Sequence, residues 1–182
     1  MSPIEREMHA LRALAAMPFL DALELASVSG TAVRTMRDAV SSLRRIGLVD
    51  AVPHATELIA PTRRLYVTSK GLDRLAWELG VDVEDVLDRY PVSAHWQRIL
   101  PGRLDAVGSV YRLVSTIADV AGPVGLRWYR NAPMDAAVIL SDGRVVAIVR
   151  QGATSDRTGF SRRLWRLLEG VKPGAVLVIT PD

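Results

Sequence analysis

Apolar positions recur at helical spacing, give way to alternation, and return to helical spacing along this chain. Met8, Leu11, Leu14 and Ala15 form one stripe and predict a helix over residues 2–16. Ser2 suits its N-cap and Pro3 its first position, and Glu5, three residues on, completes a capping box. Met17-Pro18 breaks it, and Phe19, Leu20, Leu23 and Leu25 predict a second helix over 18–26. Ser27-Val28-Ser29-Gly30 is a short turn of small residues. Val33, Met36, Val40, Leu43 and Ile46, spaced 3, 4, 3 and 3, predict a third helix over 31–46 with that stripe inward, stopping at Gly47. Thr31, Arg34, Thr35, Arg37, Asp38, Ser41 and Arg45 lie off the stripe. Residues 48–53 and 63–68 then read as two strands around a polar tip, 54–62. The rest of the chain is organised around this helix, turn and ribbon.

Beyond the ribbon, Leu72, Leu75, Ala76 and Leu79 predict a helix from Gly71 that Gly80 ends, and Asp82 caps a short helix over 83–89. A helical segment starts at Ser93 with Trp96, Ile99 and Leu100, is interrupted at Pro101-Gly102, and resumes through Leu104, Val107, Val114, Ile117 and Ala121. A helix of this length either bridges two lobes or forms a dimer seam. After Gly122-Pro123 the period changes. Residues 125–130, 134–140 and 145–150 read as strands, the last two joined by a tight Asp142-Gly143 turn. Thr154 or Ser155 then caps a helix with Phe160, Leu164, Leu167 and Leu168 inward and Arg157, Arg162, Arg163 and Arg166 outward. The apolar run 174–180 predicts a buried strand against that helix. The expected fold class is α+β. It comprises an N-terminal winged helix-turn-helix (1–90), a connecting helical segment (91–122) and a small β-β-β-α-β lobe (123–182). A chain that stops directly after a buried strand reads as a truncated lobe, with a natural end as the alternative.

In a winged helix-turn-helix the third helix enters the DNA major groove and the ribbon touches the backbone beside it. Charge supports that use. Residues 27–70 carry 7 basic and 3 acidic groups, between acidic flanks of 2 basic and 4 acidic (1–26) and 2 basic and 6 acidic (71–90). A basic segment so placed steers toward phosphate. Thr31, Arg34, Thr35 and Arg37 are the candidates for the groove, since arginine can donate a bidentate pair to guanine. Arg44 and Arg45 lie further along, toward the backbone, and Ser41 and Lys70 complete the set. Arg63 and Arg64 are the wing candidates for phosphate or minor-groove contact. Taken singly, each arginine reads equally as a solvated surface charge. At the tip, Glu57 argues against deep insertion, and Leu58-Ile59 is apolar where a phosphate clamp would be polar. Double-stranded DNA is the expected partner, bound by a homodimer across two half-sites.

The composition narrows the alternatives. With 49% hydrophobic and 24% charged residues, the 182-residue chain is an ordinary globular one. It has no cysteine, which excludes disulfides, thiolate metal sites and cysteine nucleophiles. No apolar run approaches the roughly 18 residues that span a bilayer, and no signal peptide opens the chain. A cytoplasmic protein without membrane partners is expected. There is no phosphate loop, dinucleotide fingerprint or His-Glu-x-x-His, so no cofactor is expected. His9, His54 and His95 fall in separate elements, His54 alone in the ribbon, and Trp77, Trp96, Trp128 and Trp165 are scattered as core and interface residues would be.

Three stretches carry a family resemblance: Leu43-Arg44-Arg45-Ile46-Gly47-Leu48-Val49; Arg64-Leu65-Tyr66-Val67-Thr68-Ser69-Lys70-Gly71; and, after His95-Trp96 and the long helix, Met134 to Leu140 with its Asp-Gly hairpin. Over most of its length the chain resembles the replication-relaxation family of bacterial winged-helix proteins, common on plasmids and other mobile elements. The strand-Thr-x-Lys-Gly-helix signature is shared with other winged helices, the MarR type among them. The resemblance implies DNA binding linked to replication, mobilisation or regulation, with replication or mobilisation proteins as further partners.

The last lobe also resembles a restriction-endonuclease core, which would use Asp135 and a carboxylate and lysine on the next strand to hold a divalent metal. Residues 145–151, Val-Val-Ala-Ile-Val-Arg-Gln, supply neither, so no enzyme activity is expected. Asp135 then reads as a capping or turn residue, and Asp156 as a surface partner of Arg157 and Arg163. The rival readings are a protein-interaction scaffold with a degenerate enzyme lobe and an active or partner-completed nuclease.

Overall fold

The computed structural model describes residues 2–55, 60–90, 103–129, 134–151 and 157–180. Helix α1 (Pro3–Ala16) opens on the expected capping box, Ser2 and Glu5 each bonding the other's backbone N–H. Met8, Leu11, Leu14 and Ala15 are buried on one side of it.

Helix α2 (Ala22–Val28) begins four residues later than the apolar pattern predicts. Phe19 is in the left-handed region at φ 72°. Its N–H donates to the Leu65 carbonyl at 2.6 Å, and the Leu65 N–H donates to Leu20 at 2.9 Å. Residues 19 and 20 therefore extend the edge of the ribbon instead of starting a helix. Left-handed backbone at a bulky residue costs on the order of 1–3 kcal/mol, and burial of the Phe19 ring beside Tyr66 offsets it. Asp21 then caps α2 in a second box with Glu24.

Helix α3 (Val33–Arg45) buries Met36, Ala39, Val40 and Leu43. The predicted stripe was too long at both ends, for Val33 and Ile46 are exposed. At about 100° per residue they sit roughly 70° to either side of the buried centre.

Strands β1 (Val49–His54) and β2 (Thr62–Val67) pair antiparallel from Val49↔Val67 to His54↔Thr62. The tip residues Glu57, Leu58 and Ile59 lie outside the described residues. Helix α4 (Ser69–Leu79) explains the Thr-x-Lys-Gly signature. Thr68 Oγ1 donates to Gly47 O at 2.7 Å and accepts from Gly71 N, while Lys70 Nζ donates to Ile46 O at 2.9 Å. A Cβ on Gly71 would lie 2.2 Å from the Leu48 carbonyl oxygen, so a side chain is excluded there. The motif clamps the start of α4 to the end of α3. In α5 (Val83–Arg89), Asp82 holds the N-cap position without a side-chain bond, so it does not cap as expected.

Residues 91–102, with His95 and Trp96, lie outside the description. Helix α6 (Leu104–Ala121) packs on α2, burying Val107, Val110, Tyr111 and Val114, and the Tyr111 hydroxyl donates to Pro18 O at 2.6 Å. Strands β3 (Gly125–Trp128), β4 (Ala136–Ile139) and β5 (Val145–Arg150) form an antiparallel meander. Helix α7 (Arg157–Arg166) and a π-helical turn (Leu167–Val171) return the chain to β6 (Ala175–Ile179), parallel to β5. One sheet face packs on α7 through Met134, Ala137, Ala147, Val149 and Leu167. The other gives Ala136, Val138 and Ile148 to the same core as the helices. The sheet order is β3-β4-β5-β6, which leaves β6 at an edge, and Ala175 and Val178 are exposed. The expected fully buried strand is therefore half-exposed. Leu168, expected inward, is exposed as well, because the π turn alters the helical phase at that point. The architecture is α+β, with two separate sheets.

Candidate nucleic-acid interface

The outward face of α3 is the complement of its buried stripe. Arg34, Arg37, Asp38, Ser41, Arg44 and Arg45 are all exposed and fall within about 120° of the helix circumference over roughly 17 Å of axis. Among the described residues, Arg34, Arg37, Arg44, Arg45 and Arg63 form no ion pair. Four guanidiniums share this face with a single carboxylate. The start of α3 has no side-chain cap and no acidic residue in its first turn, so its free N–H groups and positive dipole end also favour an anion. Arg44 and Arg45 complement the negative end.

Thr31 is half-buried in the turn, its hydroxyl donating to Ser29 O at 3.3 Å. Thr35 is half-buried at the flank, where it lines a recess with Pro3, Arg6, Glu7, Asp38 and Ala39. Lys70 is exposed, with its ammonium on Ile46 O. Arg63 is exposed next to the tip of the ribbon, paired with Pro53.

Arg64 corrects the sequence reading. It is 1% exposed and cannot reach a phosphate. Its Nη1 donates to Glu24 Oε2 and, at 3.4 Å, to Phe19 O, while its Nε donates to His54 Nδ1 at 3.1 Å. Nδ1 is thus an acceptor, so the imidazole proton sits on Nε2, 2.8 Å from Asp105 Oδ1. His54 is not a lone histidine but the middle of a chain joining α6, the ribbon and α2. The covering residues come from far along the sequence: Glu24 is 40 positions from Arg64 and Asp105 is 51 from His54. No signal within the ribbon marks this, and strict alternation from Leu65 and Val67 would have placed Arg64 on the open face.

Burial pushes the Glu24 carboxyl up from its ordinary range to about 7, with the Arg64 charge opposing and the Asp21 charge adding to the rise. The folded chain therefore holds a proton that the unfolded chain releases nearer pH 4.5. This contribution to stability is complete below that value and is lost as pH rises through 7. Urea midpoints are expected to carry a downward component between pH 4.5 and 7 that is absent in Glu24→Gln. An identical pH profile in the variant would show that Glu24 does not titrate there.

Asp135 is held in ion pairs. Its Oδ2 accepts from Arg163 Nη2 and from the Arg150 N–H, each at 2.6 Å, and Arg150 Nε lies 3.7 Å from Oδ1. It bridges β4, β5 and α7 instead of serving as a simple cap, and it is one partner of Arg163. Asp156 lies outside the described residues. Among those residues, no group of three His, Asp or Glu side chains is placed to share a metal ion, and no helix is long and apolar enough to cross a membrane.

Helix, turn, helix and ribbon follow one another in an α+β protein, and the outer face of the third helix carries arginines without ion pairs among the described residues. No family model matches the chain, so the likeness to the replication-relaxation family rests on its motifs alone. No curated protein matches it. The chain is similar to the PcaV transcriptional regulator from Streptomyces coelicolor, solved in complex with its natural ligand, at 26% identity over 63% of this chain and 74% of that one, with a TM-score of 0.35. A second PcaV structure gives 27% identity over 59% and 78%, again at 0.35. A TM-score that low does not establish a shared fold.

Proposed function

We propose that this protein is a sequence-specific double-stranded DNA-binding regulator, with α3 in the major groove and the start of β2 beside the backbone. The observation that carries this is the outward face of α3, where Arg34, Arg37, Arg44 and Arg45 stand exposed without ion pairs among the described residues. Positive side chains left unneutralised on a helix narrow enough for the groove suit phosphates and guanine edges. Arg37 and Arg34 take the base-reading positions, and Arg44, Arg45 and Arg63 the backbone. Two copies bind adjacent half-sites.

The reading includes no catalysis. Both Asp135 oxygens face arginines, which suits a structural tie better than a metal ligand.

Selection from a random duplex pool by the purified full chain is expected to enrich one motif, with affinity falling steeply as salt rises. Enriched sites in promoters would point to transcription, and sites at origins or transfer regions to replication or mobilisation. No enrichment at low salt would sink the proposal.

A further inference from the structure

Helix α7 carries four arginines and no acidic residue. Arg163 turns inward, to Asp135 at 2.6 Å and to the Arg150 carbonyl at 3.3 Å. Arg162 and Arg166 are exposed and form no ion pair among the described residues. Trp165 lies beside them, 65% exposed. At about 100° per residue the three share a sector of roughly 100°, with the two arginines about 6 Å apart along the axis. Phe160, Leu164 and Leu167 occupy the other side, against the sheet.

An indole this exposed forgoes the gain of burying a large apolar side chain. Trp77 is equally exposed, but its ring is already covered by the Arg74 guanidinium at 4.4 Å, which Glu78 holds in turn at 3.5 Å. Trp165 has no ring, cation or hydrogen-bond partner among the described residues. Charge selects what covers it. Residues 123–182 carry 9 basic and 5 acidic groups, a net +4, and along the described chain from Arg157 the first carboxylate is Glu169. A polyanion fits this face. A duplex keeps the flat faces of its bases stacked inside and offers the indole nothing to stack on, whereas an unpaired base does.

We propose that the outward face of α7 binds single-stranded nucleic acid, with Trp165 stacked on an unpaired base and Arg162 and Arg166 on the neighbouring phosphates. This site goes beyond the duplex-reading role and stands on a different surface, so each can fail without the other.

The test titrates the full chain with oligo-dT, and separately with oligo-rU, following tryptophan fluorescence and salt dependence. Binding to oligo-dT is expected to quench the emission and to weaken with salt. The quench should vanish in Trp165→Phe. Affinity should fall about 5- to 150-fold in Trp165→Ala, the range for loss of one stacked base, and at least as far in Arg162→Glu plus Arg166→Glu. Duplex binding to the selected site should stay within about twofold in these variants, as expected for exposed substitutions remote from that contact. Arg34→Ala plus Arg37→Ala should show the reverse pattern. Equal binding of oligo-rU would extend the ligand to RNA and support the same site. Unchanged oligo-dT affinity in the charge-reversed variant, or no oligo-dT binding at low salt, would overturn the proposal. So would self-association through Trp165 that oligo-dT does not compete.

Discussion

Arg64→Ala is expected to cost about 3–5 kcal/mol of folding stability, as measured for breaking a buried ion pair from one side. Arg63→Ala, its neighbour, should stay within about 0.5 kcal/mol. The two residues look alike in sequence and sit in opposite environments. Arg64 ties the wing strand to α2 through Glu24 and Phe19 and to β1 through His54. Without it, the Glu24 carboxyl stays in the core with the Asp21 N–H as its remaining partner, and His54 Nδ1 loses its donor. The opposing influence of Arg64 on Glu24 also goes. The carboxyl then holds its proton to still higher pH, and the stability deficit widens as pH rises. Urea unfolding of both variants at pH 5 and pH 8 measures this. Equal, small losses for the two arginines would refute the buried role of Arg64. Arg64→Met with Glu24→Gln separates charge from packing. Replacing a buried pair together is often near neutral, so this double variant should recover much of the loss. It should also keep its DNA affinity, because neither residue faces solvent.

What could be read from sequence and what could not divides by the distance over which each feature is decided. The capping box of α1 is settled within four residues, and the turn over Ser141–Gly143 within three, with the positive φ at Gly143 and not at Asp142. The outward face of α3 is settled by its own apolar stripe, so Arg34, Arg37, Ser41, Arg44 and Arg45 emerged where the pattern put them. The start of α2 is a different case. Phe19 and Leu20 have the apolarity of a helix, but their backbone groups are taken by Leu65, which is brought close only by the fold. Asp21 and Glu24 did carry a local signal, a capping box that outranks the apolar run preceding it. Arg64 had no such signal, since a cover made by α2 and α6 leaves no trace in the ribbon. The run 174–180 states that β6 is apolar and says nothing of whether it has one neighbour or two. Trp165 reads in sequence as a core or interface residue, as tryptophan usually does. Its outward setting follows from Phe160 and Leu164 owning the inner face of α7.

The α3 face makes the other large prediction. Each bidentate arginine–guanine contact is worth about 1–3 kcal/mol, so Arg34→Ala plus Arg37→Ala should weaken binding to the selected duplex by about 30-fold or more. The same pair should leave unfolding within about 0.5 kcal/mol, because both side chains are exposed and unpaired among the described residues. Salt dependence tells base reading from phosphate contact. If the two arginines read bases, the slope of log affinity against log salt is kept and preference at the contacted positions relaxes. If they hold phosphates, the slope falls by about 2 and every sequence weakens alike. Arg44→Ala plus Arg45→Ala should behave in the second way, since these residues lie about three turns from the start of the helix. A first pair that binds the selected site as the parent does, at every salt concentration, would remove α3 from the interface and leave its arginines as solvated charge.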